Sequence, residues 1–213
     1  MKRILAVALC LVLAACGQKE APPAAGGAKA FLPVEPAQAV EAPAGRIEVL
    51  EFFSYACIHC YKLHPHAKAW AAAQPADVDF RRIPVTFDRP PMVPLARLFY
   101  TLEVAGLLAA HDDAVFAAIH DQGQSLMTEE AVLAWATARG IDMTAFRKAW
   151  DDPQTLAKVT RAADLARAYK VNGTPALYAA GRWQVNLDAA TGYENLMQLT
   201  GQLVGKVRRG EQP

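Results

Sequence analysis

The sequence predicts an α/β fold with an inserted helical domain. Three observations carry that prediction. Short β-prone runs lie at Arg46–Phe53 and Val78–Phe87, with a helical pattern between them. From Met92 to Lys170 the apolar residues recur at helical spacing and no convincing strand is present. Strand character then returns after Gly173-Thr174-Pro175. A length of 213 residues fits one domain, or one domain with an insertion.

Each element has its own local reason. Arg46 to Phe53, RIEVLEFF, is rich in Ile, Val and Phe and reads as a buried strand. After Cys60, Leu63, Ala67 and Trp70 fall at helical spacing, so a helix starts near the cysteine pair. Pro65 lies inside it and removes the hydrogen bond to the Tyr61 carbonyl, which predicts a kink. Val78 to Phe87 is the next strand, and Pro84 predicts that it is interrupted or ends early.

The helical block shows four apolar faces. Leu95, Leu98, Phe99, Leu102 and Ala105 form one; Val132, Trp135 and Ala136 another; Phe146 and Trp150 a third; Leu156, Val159, Ala163 and Ala166 a fourth. Gly106, Gly123, Gly140 and Pro153 punctuate them. Beyond the block, Ala176–Ala180 and Trp183–Leu187 flank Gly181-Arg182 and read as a hairpin. A last helix is predicted from about Gly192 to Arg208, with Lys206, Arg208 and Arg209 at its end complementing the helix dipole.

Composition excludes two classes. The chain is 53% hydrophobic, but alanine accounts for much of that figure and no polytopic membrane protein is implied. Twenty-two basic against 21 acidic residues give a formal net charge of +1, which argues against nucleic acid as a partner.

The start of the chain reads as an export signal. Lys2 and Arg3 precede the uncharged apolar run Ile4 to Ala15, which is too short for a lasting transmembrane helix. Leu13-Ala14-Ala15-Cys16 resembles the bacterial lipobox, so residues 1–15 are expected to be a lipoprotein signal peptide and Cys16 the lipidated residue. A plain signal peptide cut after Ala15 is the alternative. Gly17 to about Ala28 is rich in Ala, Pro and Gly, and residues 16–28 are expected to be a flexible tether with a reach of roughly 20 Å. An exported chain works where disulfides persist. Cys10 leaves with the signal and the anchor consumes Cys16, so two of the four cysteines, Cys57 and Cys60, remain for chemistry.

Cys57-Ile58-His59-Cys60 follows a strand and opens a helix. On a first helical turn this spacing lets the two sulfurs meet, and the unpaired N–H groups of the helix start stabilise a thiolate on Cys57. His59, when protonated, adds a nearby positive charge. A pair whose reduced form is stabilised is an oxidant of other thiols. Other readings of the pair exist. Haem attachment needs His directly after the second Cys, where this chain has Tyr61. Zinc could be held by Cys57, Cys60, His64 and His66, although these crowd around Pro65 more tightly than usual ligand pairs. A structural disulfide closing so small a loop would constrain the unfolded chain little.

Glu51-Phe52-Phe53-Ser54-Tyr55-Ala56-Cys57-Ile58-His59-Cys60-Tyr61 resembles the active-site stretch of the DsbA family of periplasmic thiol:disulfide oxidoreductases, and Val171-Asn172-Gly173-Thr174-Pro175-Ala176 resembles its second signature. The resemblance covers roughly residues 29–208. It implies a thioredoxin-like fold, made of residues 29–91 and 171–208, with residues 92–170 as the inserted helical domain. It further implies that Cys57 is the exposed reactive sulfur, that Cys60 is the buried resolving one, and that Pro175 is cis and faces the pair. Thr174 and Pro175 would then hold a substrate peptide beside the disulfide. Glu51 matches the family's buried acid, which helps move a proton to or from Cys60; an ordinary strand-end carboxylate is the alternative. Arg82 falls about where the family often has Lys near that acid and could pair with Glu51; exposed solvation of one of the Arg81–Arg82 pair is the alternative. Ile58 stands where the family usually has Pro, which leaves the redox strength open.

The expected function is therefore a dithiol oxidase that introduces disulfides into exported proteins through Cys57 and Cys60. A disulfide reductase or isomerase, or a Cys/His metal-binding module, are the alternatives. The expected partners are unfolded exported proteins with free thiols and, by resemblance, a quinone-linked inner-membrane reoxidation partner. No cofactor and no resident metal are expected, and the chain is expected to be a monomer. It would lie in the periplasm, lipid-anchored to the inner or outer membrane. His111 and His120 read as surface or satisfied helix residues, and Trp135 and Trp150 as core.

Overall fold

The computed structural model describes residues 29–213; the expectations for the signal segment, Cys16 and the tether lie outside them. Strand β1 (Phe31–Pro33) leads through a long segment to β2 (Ile47–Phe53), which runs into α1 (Ile58–Ala72) and then β3 (Val78–Pro84). Five helices follow: α2 (Val93–Val104), α3 (Leu108–His120), α4 (Glu129–Ala138), α5 (Met143–Trp150) and α6 (Pro153–Ala168). The chain closes with β4 (Ala176–Ala179), β5 (Trp183–Val185) and α7 (Tyr193–Arg208). The strands form one sheet in the order β1-β5-β4-β2-β3, in which β2 and β3 are parallel and the other pairs antiparallel.

Two apolar cores flank the sheet. Leu50, Phe52 and Tyr178 belong to one with Leu98, Phe99, Phe116 and Trp135 of the helical block. Val49, Leu177 and Val185 belong to the other, with Leu63 and Ala67 of α1 and Leu196 and Leu203 of α7. The alternation of a strand buried on both faces explains why β2 reads as a nearly continuous apolar run. Its one acidic interruption that lies deepest, Glu51, is fully buried.

Local chemistry sets the helix ends in the insertion. Thr128, Asp142 and Asp152 cap α4, α5 and α6 by accepting backbone N–H groups, and Pro153 occupies the first turn of α6, where its missing N–H costs nothing. Gly140 ends α4 at φ +69°, a conformation that glycine adopts without a Cβ penalty. Gly181 turns the β4–β5 hairpin at φ +67° and lies so close to the carbonyl of Gln38 that any side chain would collide with it.

The structure departs from the sequence reading in a few places. Strand β1 was not foreseen, because three residues ending in proline carry no periodic signal and gain their pairing only from β5. The strand from Val78 is no departure: it ends early at Pro84, as that proline predicts, and the Val85 N–H still donates to the Phe53 carbonyl at 2.7 Å. Leu156, expected on the buried face of α6, is 46% exposed, and Thr155 takes the buried position beside it. Arg208 does more than complement a dipole: it donates two hydrogen bonds of 2.9 Å to Asp77, joining the end of α7 to the approach to β3.

Thermal or denaturant unfolding would separate the two leucines. Leu98→Ala, in the centre of the insertion core, is expected to cost about 2–5 kcal/mol, whereas Leu156→Ala should fall within about 0.5 kcal/mol of the parent.

Candidate functional site

Cys57 sits at the junction of β2 and α1. It is the N-cap residue of α1, with extended backbone, and its Sγ accepts the Cys60 N–H at 3.4 Å. The sulfur therefore occupies the place where a helix leaves N–H groups without partners. Its thiol S–H donates to the Thr174 carbonyl at 3.2 Å, across the sheet from the chain segment that ends in the cis Thr174–Pro175 bond. The two signature stretches, 117 residues apart, thus meet at one atom.

The two sulfurs differ sharply. Cys57 is half-buried and Cys60 fully buried, and both are free thiols. The Cys60 thiol donating to Cys57 is the largest influence pulling the Cys57 pKa down, to about 5; the Thr174 side chain and the backbone N–H groups of Cys60 and His59 add to it, against the opposing effect of burial. Burial pushes the Cys60 thiol far up, and the neighbouring Cys57 sulfur raises it further. One sulfur is a ready thiolate near neutral pH and the other holds its proton.

His59 is exposed and its Nδ1 lies 3.0 Å from the Tyr193 hydroxyl at the start of α7. Tyr193 also stacks with His66, one helical turn pair further along α1. Beside this pair of rings runs a groove of about 300 Å³, lined by His59, Thr174, Pro175, Leu187, Tyr193 and Leu196. Ile58 and Leu187 are exposed apolar side chains near it, at 42% and 40%.

Beneath the cysteines, Glu51 is buried and neither of its carboxyl oxygens accepts a hydrogen bond. Arg82, opposite Glu51 in the β2–β3 pairing, brings its Nε to 3.2 Å at an angle that makes an ion contact and not a hydrogen bond. Burial raises the Glu51 pKa; Arg82 opposes this and Asp112 reinforces it. The choice left open for Arg82 is thereby decided: it is inside, while Arg81 turns to Glu48 and Glu41.

The donor set Cys57, Cys60, His64 and His66 has no common centre. The group of possible ligands that does gather among the described residues is His64, Asp112 and Asp113, and its carboxylates already hold Arg82 and Lys68. His64 Nε2 contacts Asp113 Oδ1 at 2.7 Å. His120 is a satisfied helix residue, meeting the Tyr55 carbonyl at 2.8 Å and stacking on Tyr61; His111 packs edge-on against Trp135, with its buried Nδ1 lacking a hydrogen-bond partner. Asp112 and Tyr193 were missed by sequence reasoning. Asp112 carried a usable signal, since it lies one turn before Phe116 on the apolar side of α3, where an acid needs a partner. Tyr193 carried none.

Comparison with known proteins places this geometry. Residues 48–204 match the DSBA-like thioredoxin domain family. The thiol:disulfide interchange protein DsbA of Burkholderia cepacia is 35% identical over 185 residues, covering 86% of this chain and 87% of the relative. The corresponding protein of Azotobacter vinelandii is 36% identical over 167 residues, 78% of each chain. Among solved structures, DsbA of Pseudomonas aeruginosa superposes with a TM-score of 0.79 at 31% identity, covering 85% of this chain and 94% of that one. The oxidoreductase DsbA of Xylella fastidiosa gives 0.75 at 26% identity, covering 85% and 96%.

Thiolate absorbance near 240 nm in the reduced protein is expected to titrate with a midpoint of about 5 and to lose that step in Cys57→Ser. The linkage has a definite sign. A thiol ionising at lower pH in the folded chain than in the unfolded one adds stability that is full above the ordinary thiol value of 9.0 and is lost as pH falls through about 5. The stability difference between the reduced parent and Cys57→Ser should therefore grow from pH 5 to pH 9; a flat difference in denaturant titrations would contradict it.

Proposed function

Because the chain belongs to the DSBA-like thioredoxin domain family, with the thioredoxin-like fold and helical insertion of that family, we propose that it is a thiol:disulfide oxidoreductase acting as a dithiol oxidase on exported proteins. The observation that carries the direction is the contrast between the two sulfurs. A thiolate on Cys57 stabilised by the start of α1 favours the reduced pair, and a pair that favours its reduced form takes electrons from substrate thiols.

The exchange starts from the Cys57–Cys60 disulfide. A substrate thiolate attacks Cys57 Sγ; a bond forms between the two sulfurs, the Cys57–Cys60 bond breaks, and Cys60 leaves with the electron pair. Cys60 cannot remain an anion in its buried place, so it takes a proton. Glu51, whose charge burial disfavours, is the proton source. A second thiolate of the substrate then attacks the substrate sulfur of the mixed disulfide and expels Cys57 as the stabilised thiolate. Two electrons have passed from the substrate dithiol to the pair, and the substrate holds a new disulfide. His59 lends positive character beside Cys57 when protonated, and the Tyr193 hydroxyl fixes its ring. Thr174 and Pro175 offer backbone and an apolar wall to the substrate chain along the groove.

The pair is returned to its oxidised form by a quinone-linked inner-membrane partner, as in the family that the chain resembles. The reading of Cys16 as a lipidated residue supports attachment to a membrane in the periplasm. No helix among the described residues is long and apolar enough to cross one. A single chain suffices for the exchange, since both sulfurs, Glu51 and Thr174 come from it.

Refolding of a reduced, disulfide-containing substrate tests the reading. The oxidised protein should speed recovery and Cys57→Ser should abolish the effect; Cys60→Ser, which has no disulfide to give, should also fail to oxidise, but mixed with a substrate that already holds a disulfide its Cys57 thiolate should attack that bond, expel one substrate thiolate and accumulate as the mixed disulfide. Normal activity in Cys57→Ser would discard the mechanism. For the anchor, labelling with a radioactive fatty acid should mark the parent chain and not Cys16→Ser.

A further inference from the structure

Two carboxylates share one buried cation beneath the cysteines. Arg82 has a side chain only 11% exposed, and its guanidinium lies over the ring of Phe53 at 3.9 Å. Glu51 approaches it from β2 and Asp112 from α3 of the inserted domain. One positive charge in a dry site can balance one negative charge, so two ionised carboxylates there would leave an uncompensated charge. The hydrogen bonds decide which carboxylate stays charged. Asp112 accepts from Arg82 Nη1 at 2.5 Å and from the Tyr55 hydroxyl at 2.6 Å, the short lengths of charge-assisted bonds. Glu51 accepts none.

We propose that Asp112 is a positioning residue of the exchange site: it takes up the charge of Arg82, so that Glu51 keeps a proton for Cys60. This rests on the oxidase reading given above. The groups facing Glu51 are Arg82 on β3, Asp112 on α3, and Cys57 and Cys60 at the start of α1. Around Asp112 stand Tyr55, Arg82 and His64, whose Nε2 lies 3.6 Å away, with Asp113 and Lys68 beyond it toward solvent. Every neighbour of Glu51 except Arg82 disfavours its charge, and the one hydrogen bond that Arg82 donates goes to Asp112, its Nε and Nη2 having no hydrogen-bond partner. Without Asp112, the guanidinium has one carboxylate left to pair with, and the proton is released. The helical insertion thus completes the acid that the sheet carries.

Infrared difference spectra of the oxidised protein, each taken against the same protein with Glu51→Gln, isolate the carboxyl band of Glu51. At neutral pH the protonated-carboxyl band should be present in the parent, lost in Asp112→Asn, and retained in Asp112→Glu, which keeps the charge. It should return in Asp112→Asn combined with Arg82→Gln, where the unpaired cation is also gone; this double variant avoids the buried charge that most threatens folding of the single one. Reduction of the Cys57–Cys60 disulfide by a small thiol should slow in Asp112→Asn and slow no further when Glu51→Gln is added. A parent without the band, an Asp112→Asn that keeps it, a double variant that lacks it, or fully additive rate losses would overturn the proposal. The spectra require no substrate, so they decide the role of Asp112 independently of whether the protein oxidises exported chains.

Discussion

Arg82 is a full positive charge held inside the protein, and much of the architecture is organised by the need to balance it. An isolated guanidinium moved out of water costs several kcal/mol even after relaxation, and the burial is tolerable only with good partners. Those partners come from separate parts of the chain. Glu51 lies on the neighbouring strand, Asp112 on a helix of the insertion, and the rings of Phe53, Phe99 and Phe116 close around the cation at 3.9, 5.7 and 5.6 Å. The same residues tie the sheet to α2 and α3, so the ion cluster and the larger apolar core hold one another in place.

The site inherits its asymmetry from this arrangement and from the start of α1. Above, Cys57 is placed where helix N–H groups are unpaired and the sulfur is partly open to water. Below, Cys60 is enclosed and faces a carboxyl whose charge is disfavoured. Thiol exchange needs both conditions at once, because one sulfur must leave easily as an anion and the other must be driven to accept a proton. A shift of a single residue along α1 would break the contrast, since it would move Cys60 from the core face to the flank and Cys57 off the cap position.

The fold was legible where local chemistry dictates it. The apolar β2 run and the glycine-closed hairpin follow from residue type and spacing, and the structure has them at nearly the expected bounds; of the five insertion helices, α2, α4, α5 and α6 match the four expected apolar faces and α3 was not foreseen. Strand β1 was not legible, because a three-residue edge strand is made by its partner. Leu156 was misplaced because helical periodicity gives a face but not the depth to which that face is packed. Its neighbours Ala162 and Leu165 carry the buried side of α6.

The sequence alone determined the candidate chemistry: two cysteines with two residues between them at the mouth of a helix are suited to thiol–disulfide exchange, and the family resemblance they share with Gly173-Thr174-Pro175 points to it. It also held Glu51 and Arg82 as candidates, without showing whether either was inside. Only the tertiary structure decided that Thr174 and Cys57 meet at 3.2 Å, that Tyr193 holds His59, and that an aspartate from the insertion neutralises Arg82. The reason is physical. Reactivity at a helix start is a local property of spacing and dipole, whereas the protonation of a buried acid depends on every charge brought near it, and those charges are distant in the chain until it folds.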